Sequence, residues 1–177
     1  MADFKLAIPS TLRNEGKFSD DPRDPGGITA YGWSLRGLIE RGIDVNGDGR
    51  IDRDDVLAIY HAGPPAAVAL YEREIWEKHN YGLVRDQAVA NKIFDMAVNM
   101  GEGTANMIAQ KAAVSLGATI AVDGVFGPKT VAAINALEPQ RFMVAYKRLL
   151  VARYQEIVRR HPELAVFLPG WLTRADA

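Results

Sequence analysis

Glu15 and Asp24 are the residues best suited to chemistry, and eight residues separate them within RNEGKFSDDPRDPGGITAYGWS (residues 13–34). Glu15 closes a predicted helix whose apolar face includes Phe4, Ala7, Ile8 and Leu12, and Gly16 follows at once as a stop signal. Pro22, Pro25, Gly26, Gly27 and the aspartates 20, 21 and 24 then impose a tight, turn-rich loop. One carboxyl therefore stands on a helix end and the second is carried by a stiffened loop. Cleavage of a glycosidic bond needs such a pair: a protonated acid beside the leaving oxygen and an ionised carboxylate across the sugar. The negative end of a helix dipole and partial cover are expected to raise the Glu15 pKa, whereas glycine amides are expected to keep Asp24 ionised. The spacing is equally that of an exposed helix end followed by a turn aspartate.

The rest of the chain limits what such a site could serve. Its 177 residues suffice for one domain with a real core, and 48% apolar with 24% charged residues is an ordinary globular balance. There is no cysteine, so thiolate and disulfide chemistry are excluded. A net charge of −1 argues against nucleic acid as the main partner. The N-terminal MADFKLAIPSTLRNEG lacks a basic segment followed by an apolar run, and no apolar stretch reaches membrane-spanning length. The expectation is a protein made and left in the cytoplasm.

Ser34 is placed to cap a short helix to Arg41, with Gly42 ending it. Residues 44–55 then follow the calcium-loop pattern: Asp44, Asn46 and Asp48 at positions one, three and five, and Gly49 at six. Arg50 would offer its carbonyl at seven, Asp52 would serve at nine, directly or through water, and Asp55 would close at twelve. Six to eight oxygen ligands suit Ca2+ rather than zinc, because the loop holds no His or Cys. The alternative is an acidic, solvated turn. Asp rather than Glu at position twelve resembles the single loops of dockerins, and a single loop points to a structural site rather than a sensor.

Helices are predicted over residues 53–61, from Pro65 through Trp76, and over 87–100, 102–116 and 139–161, with Pro128 opening a further one. The last long helix buries Phe142, Tyr146, Leu149, Leu150, Tyr154 and Ile157. Its other face carries Arg141, Lys147, Arg148, Arg153, Arg159 and Arg160 beside Glu156. That face is read as solvated, with contact to an anionic outer membrane as the weaker alternative. Trp171 is expected to pack the tail onto the core.

NEGKFSDDPRDPGGITAYGWS resembles the EGG-x-DP-x-DPGG-x-T-x-x-G signature of family 108 glycoside hydrolases, a group of phage endolysins and bacterial muramidases with a lysozyme-like fold. IFDMAVNMG and DGVFGPKT are similar to two later blocks of that family, in the family's order, the second from its so-called peptidoglycan-binding half. The resemblance implies Glu15 as catalytic acid, and Glu15, Asp24 and Thr29 are similar in spacing to the Glu/Asp/Thr triad of phage lysozymes. Tyr31 and Trp33 would line sugar subsites. Asn99, at the family's NxG position, would face the sugar or else cap the turn at Gly101. Two departures stand out: Lys17 replaces the second glycine of EGG, and the insertion after Trp33 carries the calcium-like loop.

The implied protein is mainly α, a lysozyme-like helical domain over residues 1–177 with a small loop or hairpin at the cleft and one inserted EF-hand-like loop. Residues 1–100 form the catalytic half and 101–177 a helical half whose DGVFGPKT block is read as structural support. The implied activity is hydrolysis of the β-1,4 bond between N-acetylmuramic acid and N-acetylglucosamine in peptidoglycan strands, by a monomer that lyses cells after holin-type release. The rivals are a lytic transglycosylase on the same fold and a non-catalytic, calcium-dependent wall-binding module.

Overall fold

The computed structural model describes residues 1–20 and 27–177, so Asp24 lies outside the described residues. The architecture is mainly α-helical with one small antiparallel sheet, as the lysozyme-like resemblance implies. Two compact units are present, residues 7–74 and residues 1–6 with 75–177. Gln87–Met100 packs along the helix that follows it and so belongs with the C-terminal residues.

Helix α1 (Phe4–Asn14) starts at Asp3, whose Oδ1 accepts the Lys5 amide hydrogen at 2.9 Å. Phe4, Ala7, Ile8 and Thr11 are buried at the i, i+3, i+4, i+7 spacing of one helix face. Strands β1 (Phe18–Ser19), β2 (Thr29–Ala30) and β3 (Trp33–Ser34) then form an antiparallel meander in that order. Ala30 pairs with both Phe18 and Trp33, and Thr29 with both Ser19 and Ser34. The two residues between β2 and β3, Tyr31 and Gly32, both have positive φ (+48° and +84°). A two-residue hairpin loop of that kind is a type I′ turn, whose twist matches the flanking strands.

Helix α2 (Leu35–Arg41) is capped as its sequence implies: Ser34 Oγ accepts from the Gly37 amide at 3.1 Å, and Gly42 leaves the helix at φ +68°. Helix α3 (Arg53–Ala62) begins with a reciprocal capping box between Asp52 and Asp55. Helix α4 (Pro64–Tyr71) passes into one π-helical turn, Glu72–Glu77. The wider winding suits the sequence. Tyr71, Ile75 and Trp76 are all buried, a spacing of four and five residues that a regular α-helix would not keep on one face.

In the other unit, α5 (Gln87–Met100) packs on α6 (Glu102–Ser115), and α6 packs on α8 (Pro139–Arg160). Ala105, Ala109, Ala112 and Ala113 line α6 and are fully buried, which permits that close approach. The DGVFGPKT block precedes α7 (Pro128–Asn135) and is structural. Buried Gln110 accepts the amides of Asp123 (3.0 Å) and Gly124 (2.8 Å). Its Nε2 donates to Asp123 Oδ1 (2.8 Å), the Val125 carbonyl (3.1 Å) and Thr130 Oγ1 (3.1 Å). One side chain thus closes the whole turn.

The tail forms a further helix, α9 (Leu168–Asp176), which the sequence analysis did not foresee. It is held by the Arg174–Asp95 ion pair at 2.9 Å, by the Lys92 ammonium donating to the Arg174 carbonyl, and by Trp171 stacking on Tyr154 as expected. The basic strip of α8 is partly spoken for. Lys147 Nζ donates to the carbonyl of Ala177 at 3.2 Å and also to that of Asp176, while Glu156 pairs with both Arg159 and Arg160. Those guanidinium groups hold the Glu156 carboxyl down at about 2. Among the described residues, no helix is long and apolar enough to cross a membrane.

Candidate active site

Glu15 lies immediately after α1, its amide still donating to the Leu12 carbonyl at 3.3 Å, so the end of the helix fixes its backbone. Its side chain, half-buried, reaches the type I′ turn. A Cβ placed on Gly32 would lie 2.9 Å from Glu15 Oε2 and 2.1 Å from the Tyr71 hydroxyl. Only glycine leaves room there for both, and only glycine adopts φ +84° without strain. The Tyr71 hydroxyl donates to the Tyr31 carbonyl at 3.1 Å, fastening α4 to the turn. The Tyr31 amide donates to the Lys17 carbonyl at 3.0 Å, tying the turn to the chain two residues beyond Glu15. The carboxylate of Glu15 is thus seated beside a backbone turn clamped from two sides.

Among the other expected residues, Thr29 sits on β2, and its hydroxyl donates to the Gly27 carbonyl at 3.1 Å. Asp24 falls outside the described residues, but Asp20, at the near edge of its loop, is held by Arg53 in a two-pronged ion pair of 2.6 and 2.9 Å. That pair holds the Asp20 carboxyl below its ordinary value. Trp33 requires a correction. It is 3% exposed, its indole N–H donates to the Ala67 carbonyl at 3.3 Å, and its ring packs on Tyr71 at 5.0 Å. A buried indole of this kind is a core residue, not the wall of a sugar subsite. Tyr31 is half-buried and stacks on Tyr60 (6.4 Å), which meets Phe18 at 4.5 Å. Tyr60 and Phe18 beside it, like Tyr71 and Gly32, escaped the sequence analysis. The Tyr31-Gly32 dipeptide between two short β-type segments was the available signal for the turn.

Asn99 belongs to the other unit, in the last turn of α5, and of its two expected roles it does not take the capping one. Its Oδ1 accepts a hydrogen bond from the Tyr154 hydroxyl.

The 44–55 loop is ordered by its own amides. Asp44 accepts from Gly47 (2.6 Å) and Gly49 (2.8 Å), Asn46 from Asp48 (2.9 Å), and Asp48 from Arg50 (2.8 Å). Asp52 accepts from Asp54 (2.9 Å), as a helix cap. Asp55, fully buried, takes Val45 and Asn46 on Oδ1 and Asp52 on Oδ2. Burial alone would push its carboxyl up, yet these amide donors prevail and hold it below its ordinary value. Among the described residues, no three acidic, histidine or cysteine side chains converge as a metal set. The donors fit calcium in type and order, but in this arrangement they face the loop rather than a common centre.

Residues 8–101 match the family model described as Glycosyl hydrolase 108, which covers more than half of the chain. The chain belongs to glycosyl hydrolase family 108. Residues 104–176 match a second model, described as "Predicted Peptidoglycan domain". The solved structure of SagA from Brucella abortus is similar at 25% identity with a TM-score of 0.76, over 97% of this chain and 88% of that one. No curated protein matches the sequence. This family 108 member is therefore a glycosyl hydrolase whose substrate is peptidoglycan.

Proposed function

We propose that the chain is a muramidase that hydrolyses the β-1,4 bond between N-acetylmuramic acid and N-acetylglucosamine and lyses bacterial cells, as phage endolysins do. Glu15 protonates the leaving glycosidic oxygen. Asp24 stabilises the oxocarbenium-like charge or helps to activate water, and Thr29 holds that water. Tyr31, with the adjoining Tyr60 and Phe18, offers sugar-facing rings. The observation that carries this reading is the seat of Glu15: a carboxyl fixed by a helix end against a turn that accepts no side chain at Gly32. General acid catalysis depends on such placement as much as on pKa. Glu15→Gln keeps the shape and removes the acid, so turbidity clearance of permeabilised cells should fall by about 10²-fold or more, with the melting temperature unchanged. A folded variant that clears cells at nearly the native rate would refute the assignment.

Calcium binding at residues 44–55 belongs to the same proposal. It is supported by ligand types at positions one, three, five, seven, nine and twelve, and by Gly47 and Gly49 at φ +77° and +85°. Synthesis in the cytoplasm with holin-type release is the route this function would require.

A further inference from the structure

Strand β1 has little of its own to hold it. It is two residues long, it lies at the edge of the sheet, and both Phe18 and Ser19 are exposed. So short an edge strand buries too little apolar surface to fix its own place. Yet Ser19 is the cross-strand partner of Thr29, and Phe18 that of Ala30, so β1 forms one of the two walls between which Thr29 is held. Helix α3 supplies the missing hold at two points. At its first residue, Arg53 grips Asp20, the residue that follows β1, through both terminal guanidinium nitrogens (2.9 and 2.6 Å). Two helical turns later Tyr60 lays its ring against Phe18, with centroids 4.5 Å apart. Residues at i and i+7 share one face of a helix, so both contacts come from the same side of α3. The helix itself is firmly set. Val56 and Ile59 are fully buried, and so is Asp55, which accepts the amides of Val45, Asn46 and Asp52. An exposed ion pair contributes little to stability, but a two-pronged one presented by a fixed helix sets direction.

We propose that α3 braces the hairpin that carries Thr29, and that Arg53 is a positioning residue for the reaction, acting on Thr29 through Asp20 and the β1–β2 pairing. The segment inserted after Trp33, whose loop leads into α3, thereby serves catalysis without supplying a catalytic group. The inference rests on the reading of Thr29 as the residue that holds the attacking water, and it adds what keeps that residue in place.

The test uses the full chain. Arg53→Met keeps the apolar stem and removes the fork, Asp20→Asn removes its partner's charge, and Arg53→Lys keeps a charge without the two-pronged geometry. Three quantities are read: kcat and KM for release of soluble muropeptides from purified peptidoglycan, the melting temperature, and hydrogen exchange at the Tyr31 amide. That amide is bonded to the Lys17 carbonyl, just ahead of β1, at 3.0 Å and so reports whether β1 stays in place. Arg53→Met should lower kcat about tenfold with KM unchanged, part of the roughly 10²-fold that a misplacement of about 1 Å can cost. Its melting temperature should stay close to the native value, because the pair is exposed, while Tyr31 exchanges severalfold faster. Asp20→Asn should do the same, the double variant should be no worse than either single one, and Arg53→Lys should recover part of kcat. Native kcat and native exchange in Arg53→Met would overturn the brace. So would a loss confined to KM, which would make Arg53 a substrate contact, or losses that simply multiply in the double variant. Glu15→Gln measured in parallel separates the two readings. If it stays active, the assignment of the site fails, and Tyr31 exchange alone decides whether α3 braces the hairpin.

Discussion

Gly32→Ala tests the seat of Glu15 with one methyl group. At φ +84° a Cβ costs roughly 1–2 kcal/mol of backbone strain. The new carbon would meet the Tyr71 hydroxyl at 2.1 Å, so Tyr71 must give up its 3.1 Å bond to the Tyr31 carbonyl, about 0.5–1.5 kcal/mol more. Together these destabilise by about 1.5–3.5 kcal/mol, a fall of about 3–14 °C in melting temperature for a domain of this size. Glu15 Oε2, at 2.9 Å from the methyl, is displaced as well. A shift of about 1 Å in a reacting group can cost on the order of 10²-fold in rate. Calorimetry and release of soluble muropeptides from purified peptidoglycan are the assays. Adding Tyr71→Phe removes the worst contact, so the double variant should lose less stability than the two single losses sum to, without regaining activity. A single variant that melts within about 1 °C of the native protein and turns over normally would show that the turn does not position the acid.

Two further predictions follow from buried and acidic groups. Burial, aided by Lys147 and Arg174 and opposed by Asp95, lowers the Lys92 ammonium to about 8, whereas the unfolded chain keeps that proton to about 10.5. Between those values the unfolded state binds more protons, so stability relative to Lys92→Met should rise with pH, by up to about 1.4 kcal/mol per unit. A flat difference between the two denaturation profiles from pH 8 to 10.5 would contradict this. For the 44–55 loop, calcium at about a hundred times its dissociation constant should add roughly 2.7 kcal/mol, with Asp44→Ala abolishing the response and magnesium a poor substitute. Identical melting of metal-stripped protein with and without calcium would leave the loop as an acidic turn closed by its own amides.

Most helices were legible because their punctuation is local. Ser34 and Gly42 bracket α2, Asp52 and Asp55 cap α3, and Gln87–Met100 has a clear apolar face. The π turn at Glu72–Glu77 was read as continuous α-helix, since burial of Tyr71, Ile75 and Trp76 is satisfied by a change of winding that sequence periodicity does not report. Helix α9 was missed because its hold is non-local: Arg174 on Asp95 and Trp171 on Tyr154 join residues far apart in the chain. At the site, Glu15 was legible from its place after a helix and before a glycine. Trp33 was misjudged because an aromatic residue beside a catalytic loop is as readily core as cleft, and only its bond to Ala67 decides. Tyr71 stayed hidden because it sits in an apolar run, where nothing in the sequence distinguishes a tyrosine that clamps a turn from one that fills space.

The mass of the soluble fragments released from purified peptidoglycan tests the central claim most directly. A hydrolase that uses Glu15 as acid and water as nucleophile leaves reducing-end N-acetylmuramic acid, and Glu15→Gln should release almost none of it. Fragments one water lighter, ending in anhydro-muramic acid, would mean transglycosylation and would contradict the hydrolytic mechanism proposed for Asp24 and Thr29.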